Sequence, residues 1–98
     1  MAMSSTNVLA QRSWNWTLFR HDGRLVLSVL CGSVAMYPVE IQLDDDEMAM
    51  FRAGGQRAVD RLARTVRDRP QDFRARHIAM FQTRPGVTEA AARWRAAR

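Results

Sequence analysis

Lysine is absent from this chain: all fifteen basic residues are Arg. An Arg- and Ala-rich chain without Lys is what GC-rich coding produces. The net charge of +5 is therefore a weaker pointer to nucleic acid than it would be in a chain of mixed Lys and Arg. Cysteine is reduced to Cys31. One thiol excludes an internal disulfide, and with only two distant His residues it excludes a zinc site. Its neighbours Val29, Leu30 and Gly32 place it at a buried strand end, as an inert core thiol. No apolar run reaches the roughly 18 residues of a membrane-spanning helix. The opening residues lack a basic start followed by an apolar stretch, so no secretory signal is expected and the chain is assigned to the cytoplasm. Catalytic signatures are missing too. There is no Gly-x-Ser-x-Gly elbow, no His-Glu-x-x-His pair and no Gly-rich phosphate loop. The expectation is a protein that is not an enzyme and carries no cofactor.

What is present fits one domain. The 98 residues are 47% hydrophobic, enough for one core. Residues 1–11 read as a flexible lead. Residues 13–20 alternate, with Trp14, Trp16 and Leu18 on one side, which predicts a strand. His21-Asp22-Gly23 then signals a hairpin, because Gly accepts positive φ. A second strand covers 24–31, with Leu25, Leu27 and Val29 on one face and Val26 and Leu30 on the other. After a tight turn at Gly32-Ser33, a third strand runs over 34–43, with Tyr37, Val39, Ile41 and Leu43 together. Pro38 removes a ladder donor and predicts a sheet edge or bulge there.

A helix begins at Asp44. Leu43, Asp44 and Glu47 fit the N′, N-cap and N3 positions of a capping box. Met48, Phe51, Gly55, Val59, Leu62 and Val66 recur at steps of three and four, one apolar helical face. Gly54-Gly55 within it predicts either a close approach to the sheet or a break into two shorter helices. Asp60 and Arg64 form an i,i+4 pair of opposite sign. Arg69-Pro70 ends the helix, since the residue before Pro avoids the α region. A short helical turn follows, then a break at Arg84-Pro85-Gly86 and a last helix over 89–98 capped by Thr88. The expected fold is α+β: a three-stranded antiparallel meander (12–43) covered by a long helix (44–69), with a C-terminal helical tail (70–98).

Three features could carry binding. The run Asp44, Asp45, Asp46, Glu47 is explained by helix capping, and its consecutive positions point in different directions, which argues against a metal site; it also offers a partner-contact patch. Arg57, Arg61 and Arg64 share the outward helix face and could meet phosphates, although no nucleic-acid-binding motif surrounds them and no exposed aromatic pair stands on the strands. Trp94, flanked by Arg93 and Arg95, is an interface anchor or tucks back onto the domain.

Residues 14–81 resemble immunity proteins, small bacterial α+β proteins of polymorphic-toxin systems. The likeness is carried by Trp16-Thr17-Leu18-Phe19, Asp22-Gly23, 27–32, Tyr37-Pro38-Val39-Glu40-Ile41, the acidic helix start, Gly55, Leu62-Ala63, and Pro70 through Arg76-His77. It covers about two thirds of the chain. The resemblance implies stoichiometric neutralisation of one cognate toxin domain, by blocking its active site or holding it in an inactive shape. It transfers no binding residues. Asp44, Asp45, Asp46 and Glu47 would serve against a basic toxin site, and Arg57, Arg61 and Arg64 against an acidic one. Two other readings stand beside it: a nucleic-acid-binding accessory protein using the Arg face, and a self-associating structural or regulatory subunit pairing through a strand edge or the Trp94 tail, as a homodimer. No membrane partner is expected.

Overall fold

The computed structural model describes residues 6–32, 35–84 and 86–97. It is an α+β domain with one antiparallel sheet of four strands in sequence order: β1 (Thr6–Arg12), β2 (Trp16–His21), β3 (Arg24–Cys31) and β4 (Tyr37–Gln42). Three helices follow: α1 (Asp45–Gly54), α2 (Gln56–Asp68) and α3 (Val87–Ala96), with 3-10 turns at Pro70–Arg76 and Phe81–Thr83. Among the described residues, no helix is long and apolar enough to cross a membrane.

The expected meander is present, but it gains a strand at its beginning. Thr6–Arg12 pairs antiparallel with β2, where the sequence predicts a flexible lead. The lead's residues 1–5 lie outside the described residues. The reason is a register shift between Val8 and Ala10. Val8 stands opposite Phe19 on one face, and Ala10 opposite Leu18 on the other. The extra residue flips the inside–outside pattern midway, so no period of two survives in the sequence.

The β2–β3 turn is Asp22-Gly23, with φ of 53° and 79°, the two positive values of a type I′ hairpin. Pro38 sits on the edge strand β4, opposite Leu30, where its missing donor breaks no ladder. The expected turn residue Ser33, the strand start at 34, the break at Pro85 and the helix end at 98 fall outside the described residues.

Both sheet faces are covered. On the first, Trp16, Leu18, Leu27, Val29, Ile41 and Leu43 meet Val59, Ala63 and Val66 of α2. On the second, Phe19 and Val26 meet Phe81 and Val87. This second core explains Phe19, which interrupts the polar side of its strand: its ring packs edge-on to Phe81 at 5.2 Å between centroids. Trp14 leaves the expected apolar face altogether. It lies in the turn before β2 and is 85% exposed.

The single long helix is two helices. Gly55 adopts φ 60° and ψ −140°, a conformation reserved for glycine, and separates α1 from α2. A Cβ there would meet nothing within 4 Å, so Gly55 serves backbone conformation and not close packing. The capping box is formed as expected: Asp44 Oδ1 accepts from the Glu47 amide at 2.8 Å, and Glu47 Oε1 accepts from the Asp44 amide at 2.9 Å. Helix α2 ends at Asp68, before Arg69-Pro70. Helix α3 starts two residues earlier than expected, at Val87. Thr88 does not cap it. Its hydroxyl donates to the Gln82 carbonyl, and Glu89 accepts from the Gly86 amide instead.

Candidate functional site

The acidic run divides into structural and free members. Asp44 and Glu47 are the two halves of the capping box. Glu47 is also clamped by Arg76, which donates to Oε2 from Nη1 at 3.1 Å and to Oε1 from Nη2 at 2.5 Å. The carboxylate in turn holds the Arg76 guanidinium above its ordinary pKa. Arg76 also donates to the Gln42 carbonyl, tying the end of β4 to the first 3-10 turn. Asp45 and Asp46 stay exposed at the start of α1.

Trp94 is half-buried, and its indole N–H donates to Gln11 Oε1 of β1 at 3.0 Å. The tail therefore docks on the second sheet face. Arg57, Arg61 and Arg64 are exposed on α2, which packs on the first face. The three sequence-predicted patches thus stand apart, and the fold does not assemble them into one site.

The fold instead assembles something around the β1–β2 turn. Residues 13–15 reverse the chain without glycine, so Trp14 takes φ 63°. The Asn15 amide donates to the Arg12 carbonyl, and the Leu30 amide to the Asn15 carbonyl, both at 2.9 Å. Two side chains of α2 hold this turn. Arg67 donates to Asn15 Oδ1 and, through Nε, to the Leu30 carbonyl at 3.3 Å. Asp60 accepts both Arg12 Nε and Nη2 at 2.9 Å and the buried Trp16 indole N–H at 2.8 Å. These donors, Trp16 first and then Arg12, hold the Asp60 carboxyl below its ordinary pKa. Asp60 is therefore committed across the sheet, and the expected Asp60–Arg64 pair is not made.

The result is a basic cleft of about 370 Å³ lined by Arg12, Asn15, Asp60, Arg61, Arg64 and Arg67. Among the described residues, the Arg61 and Arg64 guanidiniums have no carboxylate partner. Sequence reasoning found Arg61 and Arg64. It missed Arg12 and Asn15, and it misplaced the neighbouring Trp14, because a turn without Gly or Pro looks like the start of a strand. Asn15 was the available signal, as Asn is a turn former.

A second concavity of about 630 Å³ lies over the far face of the sheet, and it shares Arg12 and Asn15 with the basic cleft. Its floor is a polar row running straight across the sheet, Thr17, Ser28 and Glu40, which are successive cross-strand partners. The Gln82 amide donates to Ser28 Oγ at 3.1 Å. The Glu40 amide donates to His77 Nδ1 at 3.1 Å. Glu40 is only 3% exposed, and its Oε2 has no hydrogen-bond partner among the described residues. Burial pushes this carboxyl above its ordinary pKa, against hydrogen bonds from Gln82 and Ser28.

Cys31 lies in the first core, where burial raises its thiol pKa. Among the described residues, no three His, Cys, Asp or Glu side chains stand together as a metal-binding group. No protein-family model, no curated protein and no solved structure matches the chain.

Proposed function

We propose that the protein is a binding module that captures a partner protein stoichiometrically, through Trp14 and the basic cleft beside it. The observation that carries this reading is Trp14: a large aromatic side chain 85% exposed, at the tip of a turn pinned from behind by Arg67 and Asp60. An exposed Trp on a rigid support, next in the chain to the Asn15 that lines a cleft with Arg61 and Arg64, has the composition of an interface hot spot, since Trp and Arg dominate binding energy where they are desolvated. The fixed turn lowers the ordering cost of association. Arg61 and Arg64 favour an acidic partner surface and would steer encounter with it. The likeness to immunity proteins agrees with this mode of action, and a toxin domain with an acidic surface is the partner it implies.

The same side chains favour one other reading. An aromatic face next to guanidiniums is also what stacks a base and neutralises phosphates in single-stranded nucleic acid. Protein is preferred because Asp60 stands within the cleft. A carboxylate is repelled by a phosphate track but fits the mixed polarity of a protein interface.

Three forms of the protein decide the matter when used as bait in nuclease-treated lysate: wild type, Trp14→Ala, and Arg61→Glu with Arg64→Glu. The expected result is one protein held 1:1 by wild type and lost from both variants. A protein retained equally by all three overturns the assignment of this surface. Nucleic acid recovered only without nuclease, and released by moderate salt, replaces the protein reading with the nucleic-acid one.

A further inference from the structure

We infer that the groove on the second sheet face is a binding site for the ammonium or guanidinium head of a small organic cation, with Glu40 as its counter-ion. The inference rests on a different concavity and a different charge from the proposed function, while sharing Trp14 with it at the rim.

Buried polar atoms in folded proteins nearly always have a partner, and each exception calls for a cause. Glu40 Oε2 is such an exception, in a residue only 3% exposed. Neither protonation state resolves it. As a carboxylate, Oε2 lacks a donor; as an acid, its O–H lacks an acceptor. Burial raises this carboxyl's pKa, and the hydrogen bonds from Gln82 and Ser28 only partly oppose the rise. His77 contacts the backbone of Glu40, its Nδ1 accepting the Glu40 amide at 3.1 Å, and makes no hydrogen bond to Oε2. Arg12, at the rim, is already held by Asp60 through two hydrogen bonds.

The space beside Glu40 suits a ligand. At about 630 Å³ it falls within the range of small-molecule sites. Its walls include Trp14, Leu30, Pro38 and Met80, which are apolar, while the floor carries the hydroxyls of Thr17 and Ser28. An apolar wall with an indole at its rim and a buried carboxylate at its floor matches a cation on an apolar body. The indole face attracts the charge, and the enclosed carboxylate meets it at low dielectric. An anionic ligand would be repelled by the same group.

The test uses phenethylamine as probe, 2-phenylethanol as its neutral counterpart and agmatine as a guanidinium probe, followed by amide chemical shifts in the intact chain. Both cations are expected to shift the Thr17, Ser28 and Glu40 amides saturably. The amine should bind about ten-fold or more tighter than the alcohol, the scale of one charge-assisted hydrogen bond. Glu40→Gln should erase that preference while leaving alcohol binding unchanged, and its own fold is checked by its thermal transition. Trp14→Ala should weaken the amine and the alcohol alike. The Arg61→Glu, Arg64→Glu variant should retain the amine site, which separates this inference from the partner-binding surface. Equal binding of amine and alcohol, a preference that survives Glu40→Gln, or no saturable shift with either cation overturns it.

Discussion

Asp60→Ala removes an acceptor that joins α2 to both β1 and β2, and its cost divides into two unequal parts. The Arg12 contact is bidentate at 2.9 Å, but the two side chains are 53% and 36% exposed. Exposed pairs of this kind contribute about 0.2–1 kcal/mol after solvent screening. The Trp16 contact is different. Trp16 is 2% exposed, and without Asp60 its indole N–H is a buried donor with no partner, which costs about 1–3 kcal/mol. The indole term therefore dominates. Asp60→Ala should lose about 2–3 kcal/mol in urea unfolding, a fall of roughly 10–20 °C in Tm for a domain of this size. Asp60→Asn keeps an acceptor for the indole and should lose only about 1 kcal/mol. Arg12→Ala should lose less than about 1 kcal/mol. The Asp60 pKa is depressed on folding, so the stabilisation is present above the ordinary Asp value of about 3.9 and is lost as pH falls through the lower folded value. The pH difference between wild type and Asp60→Asn should appear only in that acid range. Equal losses for Asp60→Ala and Arg12→Ala would refute the reasoning, because the ion pair and not the indole would then carry the contact.

Three further outcomes follow from the same structure. The Glu40 pKa is raised on folding, so its contribution is intact below the ordinary Glu value of about 4.3 and declines as pH rises through the folded value; Glu40→Gln should raise Tm at neutral pH and flatten that slope, and parallel Tm–pH curves would contradict it. Gly55→Ala should cost about 1–3 kcal/mol by chemical denaturation despite open space around the new Cβ, because φ 60° with ψ −140° strains any residue with a side chain; an unchanged midpoint would show that the break between α1 and α2 can be rebuilt without strain. Phe81→Ala should cost about 3–5 kcal/mol, since its ring is fully buried against Phe19 and His21 and anchors the second core; a loss below about 1 kcal/mol would mean that this layer contributes little to the folded state.

The legible parts of the candidate site were those carried by one element. Arg61 and Arg64 follow from helical spacing on the outward face of α2, and they do line the cleft. Trp14 was misplaced because alternation with Trp16 and Leu18 looks like a strand face, while the backbone reverses at residues 13–15. Glu40 reads as an outward strand residue. It is buried because the segment carrying His77 and Gln82 folds back over this face of β4, which nothing local to β4 announces.

By itself the sequence determined what depends on neighbours along the chain. The Asp22-Gly23 turn, the Asp44–Glu47 capping box, the stop at Arg69-Pro70, the restriction of Pro38 to an edge or a bulge and the apolar faces of β3 and α2 each follow from dihedral limits or short-range patterns. Between the two readings of Gly54-Gly55, tertiary structure chose the broken helix. It also recruited Thr6–Arg12 as a fourth strand through a bulge that hides its pattern, closed a second core around Phe19 and Phe81, and turned Asp60 from its helical neighbour Arg64 to Arg12 and Trp16. These outcomes share one physical reason. The second core and the Asp60 contacts are set by partners dozens of residues away, and the fourth strand by its pairing with β2; in each, the hydrogen bonds and buried area outweigh the weak local preference of the segment that receives them.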